Sequence, residues 1–120
     1  MRVLICGSRD FTDIDTIKKV IELLPKNTVI IHGAAPGADS IAGKIAEEKG
    51  MMVLSFPADW KKYGRSAGPI RNKQMLVEGK PDIVYAFFRD KKESKGTKNM
   101  VQLATRAGIK VIEHESISKT

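Results

Sequence analysis

Between Thr28 and Ala46 the chain passes from a β-branched run through a loop of small residues into an amphipathic helix, an order that leaves few folds open. Thr28-Val29-Ile30-Ile31 lacks polar alternation, as a strand buried on both faces does. Ile41-Ala42 and Ile45-Ala46 then put an apolar stripe on one helical face. The loop between them is His32-Gly33-Ala34-Ala35-Pro36-Gly37-Ala38-Asp39-Ser40. Gly33 and Gly37 allow backbone angles closed to other residues and let a ligand approach the main chain. The helix beyond offers unpaired N–H groups and the positive end of its dipole, which suit an anion or a sugar-phosphate. Tight turning alone explains many such glycines, so this segment leaves both roles open.

The same alternation recurs along the chain. Arg2-Val3-Leu4-Ile5-Cys6 reads as a first buried strand and ends on Gly7-Ser8-Arg9. Ile14, Ile17, Ile21 and Leu24 mark a helix that Pro25 stops, and the second helix ends at Gly50. Met52-Val53-Leu54-Ser55-Phe56 is a third strand, cut at Pro57. From Pro57 to Gly68 no apolar period is visible, which predicts a long loop carrying Trp60, Tyr63 and several cations. Pro69 stands where a helix would start, with Ile70, Leu76 and Val77 on its core face and Gly79 at its end. Residues 83–88 give a fourth strand, and a lysine-rich loop leads to Gly96-Thr97. Met100, Leu103, Ala104 and Ala107 mark a fourth helix capped by Gly108, Ile109 to Ile112 a fifth strand, and a fraying tail is expected from Glu113.

Five strands alternating with four helices predict an α/β fold, a five-stranded parallel sheet with helices on both faces, in a single domain over 1–120. Ligands bind such sheets beyond the carboxyl ends of the strands, near the point where strand order reverses. Every unusual loop of this chain falls at such an end.

Composition narrows the partners. A net charge of +7 favours anionic ones without choosing among nucleotide, nucleic acid and simple solubility. One cysteine, Cys6, excludes an intramolecular disulfide and fits a reducing compartment. Cys6 and two scattered histidines offer no metal-site spacing, so neither a metal nor a cofactor is expected. With no long apolar span and no cationic-apolar leader, a soluble cytoplasmic protein without a membrane partner is expected.

Three predicted helices place a polar residue one turn ahead of their apolar stripe: Asp39, Asn72 and Thr97. Such a residue either caps its own helix or faces a cleft. Pro69 already holds the expected first helical position of its helix, which favours a ligand contact for Asn72. Gly96-Thr97 at a helix start can bind phosphate through N–H groups and the hydroxyl. Arg9 and Arg71 can pair with phosphate or form surface ion pairs. Trp60 and Tyr63 can stack on a base or pin their loop to the core. Cys6 reads as packing, and His32 at the loop mouth has no partners for a triad. Of the acids at strand ends, Asp39 alone starts a helix on its inward face, where the dipole is expected to favour its ionised form.

Together, Gly7-Ser8-Arg9, the run from His32 to Asp39, Ala67-Gly68-Pro69-Ile70-Arg71-Asn72 with Met75, and Gly96-Thr97 with Met100 closely resemble the YspA-related branch of the SLOG superfamily. That superfamily takes its name from Smf/DprA and Lonely Guy proteins, and the resemblance runs from Gly7 to the fourth helix. It implies a Rossmann-like three-layer sandwich that binds a nucleotide or nucleotide-derived ligand, in a sensing, sequestering or processing role. Carried over by position, it implies Gly7, Ser8, Arg9, Gly33, Asp39, Arg71, Asn72, Gly96 and Thr97 as the binding set. Backbone N–H groups of Gly7, Gly33 and Gly96 would then hold phosphate, and a homo-oligomer paired through helices is an open possibility.

Two relatives give competing expectations. Lonely Guy enzymes cleave the N-glycosidic bond of nucleoside monophosphates with a motif resembling Pro-Gly-Gly-x-Gly-Thr-x-x-Glu. Here Met100 stands at the glutamate's place and the leading Pro-Gly-Gly is missing. A thioether can neither stabilise an oxocarbenium-like transition state nor move a proton, so Asp39 would have to supply the carboxylate. DprA-type proteins bind single-stranded DNA, for which this chain has basic loops but no added partner-binding domain.

Overall fold

A computed structural model describes residues 1–115 of the chain. Five apolar runs form one parallel sheet from β1 (Arg2–Gly7), β2 (Val29–His32), β3 (Met52–Ser55), β4 (Ile83–Phe88) and β5 (Lys110–Glu115), in the order β3-β2-β1-β4-β5. The architecture is the expected Rossmann-like α/β sandwich. Alternate residues of the central strand feed opposite cores, because side chains in a strand point to the two faces in turn. Val3 and Ile5 pack with Ile17 and Ile21 of α1 (Ile14–Glu22) and with Ala42 and Ala46 of α2 (Ala38–Glu48). Leu4 and Cys6 pack on the other face with Met75, and with Met100 and Ala104 of the last helix.

That other face carries the helices that complete the site. A single helical turn, α3 (Trp60–Tyr63), precedes α4 (Ala67–Gln74), and α5 (Lys95–Arg106) follows β4. The chain builds outward from β1 to β3 and then returns to place β4 on the free side of β1. Gly7 pairs in register with Phe87, so the segments leaving β1 and β4 start side by side and part toward opposite faces. That parting opens a crevice at the carboxyl edge of the sheet.

Several local expectations change. The region from Pro57 to Gly68, expected as a loop, holds α3 and a turn of 3-10 helix at Gly64–Ser66. The Asp59 carboxylate accepts from Lys62 N at 3.1 Å, a cap that needs no apolar period. α4 begins at Ala67, so Pro69 lies inside the first turn, where its missing N–H has no intrahelical partner to lose. The helix then widens into a π-helical segment at Met75–Gly79 and stops at Lys80, in the left-handed region with φ 48°. β5 runs on to Glu115 through the start of the expected tail, and 116–120 lie outside the described residues. Among the described residues no helix is long and apolar enough to cross a membrane.

Candidate functional site

The crevice widens into a cavity of about 690 Å³. Cys6, Met75 and Met100 form its apolar floor, and the residues after β1, α4 and the start of α5 form its walls. Burial pushes the Cys6 thiol well above its usual range, leaving it an unreactive packing group.

The loop after β2 is held by its own side chains. Asp39, 4% exposed, accepts from Gly33 N at 2.9 Å and also from the Ala35 amide. Between those two donors, Ala34 N donates to His32 Nδ1 at 2.9 Å, and Ser40 Oγ donates to Ala35 O at 2.6 Å. Three successive amides therefore already have acceptors, and Gly33 N is not open to a phosphate. Gly37 closes the loop at φ 79°, with its Cα pressed against the Ser8 and Arg9 carbonyls, so that a side chain has neither the angle nor the room. It occupies the N-cap of α2 without lining the cavity. His32 lies under the loop against Gly43, where burial lowers its pKa and keeps the ring neutral, as an accepting Nδ1 requires.

Asp39 does line the cavity. Burial raises its pKa from 3.8 to about 6, against the opposing pull of the Gly33 amide, Arg71, the Ala35 amide and Arg9. The helix dipole was expected to favour the ionised form; desolvation of a nearly enclosed carboxylate outweighs it. At neutral pH the group is still mostly charged. It caps the loop that enters its helix and not the helix itself.

Arg71 and Asn72 arrive from α4. Arg71 Nη1 donates to the Gly33 carbonyl, and the guanidinium occupies the space beside Gly33 that a side chain would fill. Arg71 Nε donates to Asn72 Oδ1 at 2.9 Å. Asn72 Nδ2 donates across to α5, to Gly96 O at 3.2 Å and to Asn99 Oδ1 at 3.0 Å.

The turn after β1 is tied to the segment after β4. Ser8 Oγ shares a hydrogen bond of 2.5 Å with Ser94 Oγ and accepts from Arg89 N at 3.0 Å. Gly7, Ser8 and Arg9 all line the cavity, and the Arg9 guanidinium rests 5.5 Å from the centre of the Trp60 ring at the rim. Tyr63 does not reach it; Lys62 Nζ covers its ring at 5.1 Å.

Gly96 and Thr97 lie in the first turn of α5, whose N–H groups have no intrahelical partners. Thr97 is 6% exposed, lines the cavity, and has no hydrogen-bond partner for its hydroxyl among the described residues. Arg65, from the turn before α4, and Lys95, at the start of α5, add cationic charge to the cavity lining.

The structure thus brings Gly7, Ser8, Arg9, Asp39, Trp60, Arg71, Asn72, Gly96 and Thr97 to one cavity, and places His32, Gly33, Gly37 and Tyr63 behind or beside it. Asn99 and Ser94 escaped the sequence reading. Asn99 sits one turn after Gly96 on the same helical side, a spacing that could have revealed it. Among the described residues no group of three or more His, Cys, Asp or Glu is placed to hold a metal.

Matches to known proteins include a family, a related protein and a solved structure. The model of the YspA, cpYpsA-related SLOG family matches residues 1–63. The Gene 61 protein of Mycobacterium phage D29 is 37% identical over 120 residues, covering 92% of this chain and 94% of that protein. The X-ray structure of DNA processing protein A (DprA) from Streptococcus pneumoniae superposes with a TM-score of 0.59 at 16% identity, over 92% of this chain. The chain spans 58% of that structure's length, and at such identity the likeness is one of fold.

Proposed function

The chain belongs to the YspA, cpYpsA-related SLOG family, and on that premise we propose that it binds a nucleotide or nucleotide-derived ligand, bearing phosphate and ribose, in the cavity at the carboxyl edge of its sheet. The observation that carries this reading is the Thr97 hydroxyl, on a largely buried residue that lines the cavity beside the first turn of α5 and without a partner among the described residues. A hydroxyl open to the cavity and free of protein partners can take a ligand oxygen together with the adjoining N–H groups. Arg9, Arg65 and Lys95 would neutralise the phosphate charge, and the Asp39 carboxylate would accept from ribose hydroxyls. Trp60, with Arg9 stacked on it, would cover the base.

Binding comes before cleavage in this proposal because Met100, buried in the cavity floor, has no acid–base chemistry to offer a glycosidic bond. Sustained release of free adenine from AMP, abolished in Asp39→Asn with binding retained, would make the protein an N-glycoside hydrolase. A second reading, a nucleic-acid strand, draws on Lys61 and Lys62, exposed on α3 beside Trp60, which extend the positive charge beyond the rim. The structural neighbour's name, a DNA processing protein, points the same way. Calorimetric titration with AMP, ADP and a single-stranded oligonucleotide at rising salt separates the two. A pocketed mononucleotide gives a shallow salt slope, whereas a strand held at several phosphates loses affinity steeply. Tight oligonucleotide binding that AMP fails to displace would overturn the mononucleotide reading.

A further inference from the structure

Asn72 is 4% exposed in the cavity wall, yet both of its donors are already taken. Arg71 Nε–H can only donate, so the atom it meets at 2.9 Å is Asn72 Oδ1. The Gly96 carbonyl can only accept, so the atom 3.2 Å from it is Asn72 Nδ2. These two partners fix the orientation of the amide independently of each other. Its second proton goes to Asn99 at 3.0 Å, which must receive it on Oδ1. Polarity therefore runs one way, from the guanidinium through Asn72 to Asn99. The Asn99 NH2 group is left with no partner among the described residues, on a side chain that lines the cavity.

Resting on the proposal that the cavity takes a phosphate- and ribose-bearing ligand, we infer that Asn72 is a positioning residue that sets Arg71 and the first turn of α5, and that Asn99 selects the ligand by aiming an amide donor at one of its acceptor atoms. The relay joins α4 to α5 at the level of Gly96, where the open amides begin. It also orients Arg71, whose charge holds down the Asp39 pKa and whose Nη1 grips the Gly33 carbonyl. One amide thus couples the clamped loop to the open helix start.

The relay is tested on the free protein by NMR. In Asn72→Ala the Arg71 Nε–H resonance should lose its protection from exchange, and the Asp39 carboxyl should titrate at a higher pH than in the parent because Arg71 is released. Asn72→Asp keeps an acceptor for Arg71 but no donor for α5, so it should retain the Arg71 signal while the Gly96 and Thr97 amides shift. An Arg71 signal and an Asp39 midpoint unchanged in Asn72→Ala would overturn the positioning role, since a merely structural amide would leave neither altered. Selection is tested by calorimetry with AMP and inorganic phosphate. Asn99→Ala should weaken AMP by about tenfold, the worth of one lost hydrogen bond, while phosphate changes less than about twofold. Equal losses for both probes, or none, would overturn selection by Asn99. If the parent protein binds none of AMP, ADP or phosphate, the functional proposal fails and the selecting role with it, and the spectra alone decide the relay.

Discussion

The turns that open α2 and α5 are both glycine-containing, both at the carboxyl edge of the sheet, and both of a kind that cradles anions, yet they differ in what their amides do. In the turn after β2, Gly33, Ala34 and Ala35 donate to Asp39 and His32, two side chains of the same segment. At the start of α5 the first N–H groups and the Thr97 hydroxyl have no partner among the described residues. The first turn is a closed structural clamp and the second is open to a ligand. A small-residue turn at a strand end is therefore two different objects, told apart by whether a nearby side chain has reached its amides first.

The sharpest way to break the contrast is to substitute one glycine in each turn. Gly37→Ala forces a side chain into φ 79° and against two carbonyls, and should lower stability by about 3 kcal/mol in urea denaturation. Gly96→Ala adds a methyl group with nothing within 4 Å, and stability should stay within about 0.5 kcal/mol. Similar losses from both would mean that the two turns are equally structural.

Next in size is the pH dependence of the clamp. The Asp39 pKa rises from 3.8 to about 6 on folding, so the native state binds more protons than the unfolded state between those values. The stabilising contribution of the protonated form is complete below the lower value and is lost as pH rises through the higher one. This rise alone should lower stability by about 3 kcal/mol at most between pH 4 and pH 7. Denaturation curves of the parent and of Asp39→Asn across that interval isolate the effect. If both vary alike with pH, the carboxyl is not the buried group described.

The smallest effect belongs to the open turn. Thr97→Val keeps the shape and removes the hydroxyl, and should weaken AMP by about tenfold in calorimetry while stability changes by less than about 0.5 kcal/mol. A variant that binds AMP as the parent does would show that the hydroxyl faces no ligand oxygen.

Much of the fold was legible because one physical signal repeats. Runs such as Val3-Leu4-Ile5 and Val29-Ile30-Ile31 lack alternation, and the helical stripes that follow them have a period near 3.6. What escaped was structure whose cause is not periodic: α3 rests on the cap from Asp59, and the π-helical segment only shows once α4 packs. In the cavity, the strand ends were legible, but the state of each amide was not. Asp39 reaches back six residues to Gly33, and Asn72 spans 27 positions to Asn99, contacts that no local pattern announces.

The pairing of β1 with β4 has a consequence for the order of events during synthesis. A growing chain that has produced β1, α1, β2 and α2 has the clamped loop complete, because Asp39, His32 and the amides they hold lie within one short segment. The cavity does not yet exist. Ser8 waits 81 residues for the Arg89 amide, and the wall that carries Thr97 arrives later still. Such distant pairing is slow to form. The ribosome must release nearly the whole chain before the cavity has its walls, so the binding proposed for it belongs to the folded chain and not to a partial one.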